Sequence, residues 1–382
     1  MAYTTIDKPS DYFNTVLWTG DGASSRGITG VGFKPDFVWL KRRDSTANQN
    51  VYDVIRGATK YILTDSTNAE ATISDRLTSF DSDGFTVGDS GNTNASSATY
   101  VAWNWLADNT TGSPNTDGDI TSTVSANTTA GFSFGLYTGN ATNSTIGHGL
   151  GKKPEFILTK RRNSTGAWRT QHGSLGAAKT SQLNGTNAFT NSSAVYNNTE
   201  PTSSVFTIGT ATSINASGGT FVFYAFTSIK GYSKFGSYTG NGNANGPMVY
   251  TGFKPAFVII KRTNTTGSWK LFDNKRANPF NVIGVRLEAN TSAAEGSSST
   301  YDIDLLSNGF KLRGTSAEQN GSGSSFIYLA FAESPFVSSS GIPTTARWYE
   351  IYFNIIYLQH EYRSMSVKFS SRLSIQFTLW LC

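Results

Sequence analysis

Cysteine is almost absent from this chain of 382 residues, and the only one, Cys382, is the last residue. A single cysteine excludes a disulfide framework and a cysteine-based metal site. Charged residues make up only 15% of the chain, well below the share in an ordinary globular domain. The net charge is +5, and the basic residues are spread along the sequence instead of forming a dominant patch, which argues against a nucleic-acid partner.

The sequence also lacks the long apolar run that a membrane-spanning helix requires, so we expect no membrane insertion. Its N-terminus, MAYTTIDKPSDYF, has neither the basic nor the apolar region of a signal peptide, which predicts synthesis without export. Glycine (38 residues) and aromatic residues (13%) are abundant instead. Many aromatic residues separated by glycine and small polar residues are typical of β-strands joined by turns.

Three motifs each occur three times, in the same order. An aromatic strand that ends in Thr-Gly, a proline-led strand that ends in basic residues, and a second aromatic strand occupy 17–22, 32–43 and 99–105, then 136–141, 151–162 and 220–226, then 237–242, 252–262 and 325–331. In every copy the proline of the second motif lies 15 residues after the glycine of the first. Each copy is much longer than a solenoid unit of about 20–50 residues. We therefore expect each copy to be a domain with its own core.

The repeats predict an all-β chain of three tandem antiparallel β-sandwich modules, of jelly-roll or lectin-like type. Predicted boundaries are 1–108 for module 1, 131–229 for module 2 and 230–347 for module 3. Residues 109–130 combine proline, glycine and small polar residues, so we predict a linker there. Apolar residues occupy both faces of 256–260 and of 325–331, which predicts strands that are buried on both sides.

Two recurring features are candidates for ligand binding. Trp168 and Trp269 follow similar loops, NSTGAW and NTTGSW, and an exposed indole there could stack on a sugar; a core tryptophan that starts the next strand is the alternative. The basic pairs could bind an anionic cell-surface polymer. Their alternative role is as solvated strand ends that discourage edge pairing. These pairs are Lys41 with Arg42, Lys160 with Arg161, and Lys261 with Arg262.

No catalytic or metal site is predicted. Asp53 and Asp273 each precede an arginine by three residues, and an ion pair that closes a turn explains this better than a ligand contact. Glu70 and Glu295 recur as well, and paired carboxylates can hydrolyse glycosidic bonds. Module 2 lacks this glutamate, which favours a structural role. His172 replaces the aspartate in module 2, and we expect a variable loop position there. The Asp-Gly sequences fall short of a calcium loop, and we expect no cofactor.

The phrases GFKPAFVIIKRTN, LSNGFKLR and IYLAFAESPF resemble a family of β-rich repeat domains in tailed, often marine, bacteriophages. The resemblance covers roughly 1–347 and implies a tail-fibre-like structural protein of the virion. Such a protein would present loops for multivalent adhesion to a host-surface glycan, would contact other virion proteins, and by analogy could form a homotrimer. A purely architectural capsid or tail decoration protein and a polysaccharide depolymerase are the alternatives.

Residues 348–382 depart from this resemblance, because members of the family tend to stop near the equivalent of Arg347. The segment contains no glycine, proline, alanine or aspartate. Our hypothesis is a frameshift or read-through extension without a native role. The alternative is a genuine terminal strand pair or interface.

Overall fold

The computed structural model describes residues 3–276 and 281–344. The predicted atypical tail, 348–382, lies outside the described residues. The described chain is built almost entirely from antiparallel strands, which confirms the all-β, sandwich-like class. In each module a large sheet packs against a small one.

Module 1 has a large sheet in the order β1-β9-β3-β4-β5-β6 and a small sheet in the order β2-β8-β7. Its strands are β1 (Phe13–Thr19), β2 (Arg26–Ile28), β3 (Phe37–Arg42), β4 (Asn50–Asp53), β5 (Lys60–Leu63), β6 (Ala71–Thr72), β7 (Leu77–Asp81), β8 (Gly84–Val87) and β9 (Thr99–Trp105). A short 3-10 helix, Pro9–Asp11, precedes them.

Module 2 has a large sheet in the order β10-β11-β12-β19-β14-β15-β16-β17 and a small sheet of β13 and β18. Its strands are β10 (Ser113–Asn115), β11 (Ser122–Asn127), β12 (Phe132–Thr138), β13 (Ser144–Gly147), β14 (Phe156–Arg161), β15 (Arg169–His172), β16 (Lys179–Gln182), β17 (Thr190–Asn191), β18 (Val205–Ile208) and β19 (Thr220–Phe226). Its short helices are a 3-10 turn at Gly173–Leu175, α1 (Ser193–Tyr196) and α2 (Thr212–Asn215).

Module 3 repeats the order of module 1, with β20-β28-β22-β23-β24-β25 in the large sheet and β21-β27-β26 in the small one. Its strands are β20 (Ser233–Thr239), β21 (Met248–Tyr250), β22 (Phe253–Arg262), β23 (Lys270–Asp273), β24 (Val285–Glu288), β25 (Gly296–Ser297), β26 (Ile303–Leu306), β27 (Gly309–Leu312) and β28 (Ser325–Pro335). A 3-10 turn at Ser299–Tyr301 and α3 (Ala317–Asn320) complete it.

The predicted linker is wrong, because 109–130 contains β10 and β11. Strand β11 pairs with β12 from Thr123 opposite Leu136 to Asn127 opposite Phe132. Its polar composition is misleading, because Ser122 and Ser125 are fully buried and Val124 packs into the core of module 2. This segment covers the first strand of the large sheet in module 2, whereas β1 and β20 remain edge strands.

The long central strand of each large sheet, β9, β19 or β28, is buried on both faces. In β28, Phe326, Tyr328 and Ala330 face the small sheet of module 3, while Ile327, Leu329 and Phe331 point the other way. The prediction of strands buried on both sides is therefore confirmed. The second face joins a core that all three modules share, with aromatic rings from each of them. The expectation of a separate core for each module was incomplete, and the described chain up to residue 344 lies within one compact unit.

Three equivalent boundaries join the large sheets in a closed cycle. Seam 1–2, seam 2–3 and seam 3–1 denote the contacts between the modules with those numbers. At each seam one backbone amide from each module donates to a carbonyl oxygen of the other module. The donor–acceptor pairs are Glu70–Arg162 (2.8 Å) and Gly166–Thr67 (2.8 Å), Phe189–Thr263 (2.9 Å) and Gly267–Thr186 (2.9 Å), and Glu295–Arg43 (2.7 Å) and Ala47–Ser292 (2.9 Å).

Candidate functional site

The two tryptophans that we considered as surface contacts lie inside the seams. Trp168 is 1% exposed and Trp269 is fully buried. The indole nitrogen of Trp168 donates to the carbonyl of Leu63 at 2.7 Å, and that of Trp269 donates to the carbonyl of Gln182 at 3.0 Å. Gln49 occupies the equivalent position in module 1. These indoles hold neighbouring modules together, and their burial removes them from any surface site.

The lysines of the predicted basic clusters are buried as well. Lys41, Lys160 and Lys261 are 0% exposed, and burial lowers the pKa of each to about 8. Each ammonium group donates across a seam to a backbone carbonyl. The acceptors are Ser292 at 3.2 Å for Lys41, Thr67 at 3.3 Å for Lys160 and Thr186 at 3.2 Å for Lys261.

The buried positions of the lysines contradict both predicted roles, binding of an anionic polymer and protection of a sheet edge. Strands β3, β14 and β22 have neighbours on both sides, so their ends protect no sheet edge. Arg42, Arg161 and Arg262 are half-buried and bond within their own modules. Their partners are Asp44 (2.8 Å), Asn163 (3.1 Å) and Ser324 (2.6 Å). The eight predicted binding residues therefore form no common surface.

The recurring acids also belong to the seams. Arg56 and Arg276 pair with Asp53 and Asp273 inside the protein, which confirms the predicted turn-closing ion pairs. Glu70 pairs with Arg162 of module 2 at 2.9 Å. Burial acts to raise the pKa of Glu70. Arg162 and Arg56 outweigh that effect and hold the pKa below its ordinary value. A carboxylate clamped in this way is poorly suited to donate the proton that glycoside hydrolysis needs.

The histidine that replaces the aspartate in module 2 is a buried structural residue. His172 is fully buried and contacts the carbonyl oxygen of Tyr328 in module 3 at 3.4 Å through Nε2. Its Nδ1 accepts a hydrogen bond from the amide of Ser174 at 3.2 Å. The predicted variable loop position is therefore a contact of seam 2–3.

Reasoning from the sequence missed the open surface that the closed cycle of large sheets leaves at seams 2–3 and 3–1. The residue after the repeated proline is Asp36, Glu155 or Ala256. Asp36 accepts hydrogen bonds from the amides of Ala107 (2.6 Å) and Asn109 (3.1 Å), where the chain passes from module 1 to module 2. Glu155 accepts from the amide of Ser228 (3.2 Å) at the next crossing. At seam 3–1 the equivalent residue is Ala256, which has no carboxylate to accept such a hydrogen bond.

Groove 2–3 lies where module 2 meets the edge strand β20. It has a volume of about 260 Å³ and is lined by Lys153, Glu155, Gly173, Ser174 and Phe235. Lys153 pairs at its rim with Glu200 at 2.6 Å. The lining thus offers a cation, one carboxylate, a hydroxyl group and an aromatic ring, and the carboxylate of Glu200 lies beside the cation. Pockets for drug-sized ligands are usually about 300–1,000 Å³, so this groove suits a single small polar unit.

Groove 3–1 is the equivalent space beside the edge strand β1. It is smaller, about 80 Å³, and is lined by Ser10, Phe13, Asn14, Thr15, Ala256, Asn274, Lys275, Ala332 and Glu333. At seam 1–2 the same space is covered by residues 109–130. Ile55 stands there in the place of Ser174 and Lys275, and Gly112 packs over its side chain. The residue at this position is therefore apolar at the covered seam and polar at the two open seams.

Within residues 3–276 and 281–344, no three His, Cys, Asp or Glu side chains are grouped to hold a metal ion. None of the helices in these ranges has the length and hydropathy needed to cross a membrane.

Two comparisons with known proteins bear on identity. The family model described as a domain of unknown function, DUF7483, matches residues 8–335, which include all three modules. No curated protein matches the chain.

Proposed function

The chain belongs to the DUF7483 family of domains of unknown function, and from that premise we propose that it is a non-enzymatic adhesion protein. In this proposal it is a tail-fibre-like structural protein of a tailed-bacteriophage particle. It recognises a host-surface glycan through groove 2–3, and many copies on one particle combine weak single sites by effective concentration.

The observation that carries the proposal is the open, polar lining of groove 2–3 at a seam that is otherwise apolar. Sugar rings present hydroxyl groups to carboxylates, ammonium groups and backbone atoms, and an apolar ring edge can contact their C–H groups. Lys153, Glu155, Ser174 and Phe235 provide these partners. Ile55, at the equivalent position of the covered seam, provides no such polar partner. This difference distinguishes groove 2–3 from an accidental gap between modules.

The test is binding of the full chain to an array of bacterial surface polysaccharides and to whole cells. Ser174→Trp should fill groove 2–3 and reduce binding at least about tenfold, because a bulky indole would occupy the sugar position. Lys275→Trp in groove 3–1 and Thr111→Trp on an exposed strand-flanking residue are matched controls, and both should bind normally. Equal binding by all four proteins would contradict the assignment of the groove.

An architectural role is the second candidate, because so much of the aromatic content lies in the closed core. Large apolar side chains that remain exposed in the described residues are few: Leu17, Met248, Tyr250, Val282 and Ile342. A decoration protein would bind particles that lack it but not cells. A depolymerase would release reducing sugar ends from a polysaccharide, and Glu155→Gln or Glu200→Gln would abolish that release.

A further inference from the structure

Module 3 carries an exposed aromatic and basic surface that the other modules lack. We define the tyrosine–lysine surface as Tyr3, Lys230, Lys234, Met248 and Tyr250. Tyr250 is 51% exposed and Met248 is 40% exposed, and both lie on the outer face of β21. Contiguous exposed apolar groups on an otherwise polar surface mark interaction sites more often than isolated ones do.

The two tyrosines are held in place by hydrogen bonds. The hydroxyl group of Tyr3 donates to the carbonyl of Gly252 at 2.8 Å and lies 3.3 Å from the hydroxyl group of Tyr250. This contact brings the N-terminal segment, far away in sequence, beside β21. It leaves the Tyr250 ring anchored at its hydroxyl end, as a preorganised platform requires.

Two lysines flank the rings. The ammonium group of Lys230 lies 4.4 Å from the centre of the Tyr3 ring, and that of Lys234 lies 5.4 Å from the centre of the Tyr250 ring. Lys234 also donates to the backbone carbonyl of Tyr250 at 3.2 Å. Neither lysine takes part in an ion pair with the described carboxylates, so both charges remain available to an anion.

The equivalent strands show that the fold does not require these side chains. Strands β2 and β13 pair with β8 and β18 as β21 pairs with β27, and a buried phenylalanine lies at the same place in each pair. We align the three strands on the residue that pairs with this phenylalanine. Met248 is then equivalent to Gly27 in module 1 and to Thr145 in module 2. The position of Tyr250 is Thr29 in module 1 and Gly147 in module 2.

We propose that the tyrosine–lysine surface is a second carbohydrate site, which binds an acidic polysaccharide. A pyranose ring stacks on the exposed face of Tyr250, beside Met248, and a carboxylate substituent of the same chain contacts Lys230 and Lys234. The aromatic ring supplies a flat apolar contact, and the unpaired cations select the acidic polymer over a neutral one. The surface shares no residue with groove 2–3, so this proposal can be tested independently of the adhesion proposal.

The experiment is affinity electrophoresis of the full chain in gels that contain polygalacturonate or neutral dextran. Polygalacturonate should retard the wild-type protein, with an apparent affinity at least about tenfold above that for dextran. Tyr250→Ala should remove about tenfold of that affinity, and Tyr250→Phe should retain it, because the ring persists. Lys230→Gln combined with Lys234→Gln should lower the affinity for polygalacturonate to the level seen with dextran.

Two controls separate this site from general charge attraction and from groove 2–3. Lys60→Gln combined with Lys179→Gln removes the same charge elsewhere and should leave retardation unchanged, as should Ser174→Trp. Undiminished retardation of Tyr250→Ala would overturn the stacking role. If both double lysine variants lose the same affinity for polygalacturonate, net charge explains the binding and the site is overturned. A wild-type protein that neither polymer retards would also overturn the site.

Discussion

Five equivalent positions form a network of ion pairs in seams 1–2 and 3–1 but hold uncharged, mostly apolar residues in seam 2–3, although all three seams are built from equivalent strands. We call these the ionic seams and the apolar seam. In the ionic seams, a buried aspartate, an arginine three residues later, a glutamate and an arginine from the neighbouring module form a chain of ion pairs that ends on an aromatic donor. The residues are Asp53, Arg56, Glu70, Arg162 and Tyr224 in seam 1–2, and Asp273, Arg276, Glu295, Arg43 and Trp103 in seam 3–1.

Seam 2–3 replaces every member of that chain. His172, Leu175, Phe189, Thr263 and Leu329 stand at the five equivalent positions. Phe189 packs on Trp269 with ring centres 6.1 Å apart. The exchange is concerted, because removal of one member of a buried ion pair leaves an uncompensated charge, whereas replacement of the whole group by apolar residues can be neutral or stabilising. One fold thus accommodates two solutions for the same boundary.

The buried lysines are common to all three seams and should dominate the pH dependence of stability. Their folded pKa of about 8 lies below the ordinary value. The unfolded chain therefore binds more protons between pH 8 and about 10.5, and folding becomes more favourable as the pH rises. We expect a gain of roughly 2 kcal/mol per lysine between pH 7.5 and 9.5 in guanidinium unfolding.

Tyrosine ionisation in the unfolded chain should reverse this gain above about pH 10, because burial raises the pKa of Tyr137, Tyr224 and Tyr238. Substitution of any one of the three lysines by methionine should remove about a third of the rise. Stability that falls between pH 7.5 and 9.5 would contradict the assignment of uncompensated buried charge to these seams.

Loss of one ionic partner should separate the two kinds of seam most clearly. Arg276→Ala leaves Asp273 buried without its cation. Burial acts to raise the pKa of Asp273, and Arg276 is the main group that lowers it. The expected cost is about 3–5 kcal/mol. Leu175→Ala at the equivalent position of seam 2–3 should cost only roughly 1–2 kcal/mol, because it removes partly buried apolar surface. Equal costs in urea unfolding would remove the distinction.

Much of the sheet structure could be predicted from the sequence, because each motif carries its own pattern. Apolar residues on both faces of 256–260 and the Asp-Arg spacing at 53–56 led to the correct strand burial and to the correct ion pair. The roles of Trp168 and Lys41 could not be predicted, because they depend on which module closes against which. The prediction of a linker at 109–130 failed for a related reason, because Ser122 and Ser125 are polar residues that a partner strand buries.

Acid should weaken seam 2–3 before it weakens the other two. Burial lowers the pKa of His172 to about 4, so the unfolded chain binds the proton first as the pH falls below about 6.5. Stability is lost through that window, by about 2 kcal/mol at pH 5 for this histidine. The pKa values of Glu70 and Asp273 are lowered, so their contributions are lost only at more acidic pH.

Hydrogen exchange can locate this acid effect. The amide of Phe189, which donates to Thr263 across seam 2–3, should exchange faster at pH 5 than at pH 7 after correction for intrinsic rates. The amides of Glu70 and Glu295 at the other seams should change little. His172→Gln should suppress the difference, whereas His148→Gln, which removes a buried histidine outside the seam, should not. Uniform acceleration at all three amides would indicate global unfolding instead.

The smallest effect is expected from the arginines on the module surfaces. Arg42 and Asp44 approach to 2.8 Å, a distance similar to the 2.6 Å between Arg276 and Asp273. Arg42→Gln should nevertheless change the unfolding free energy by less than about 0.5 kcal/mol, because water solvates both partners of a surface pair. A loss comparable to that of Arg276→Ala would mean that distance, and not burial, determines the strength of these pairs. The division between ionic and apolar seams would then lose its physical basis.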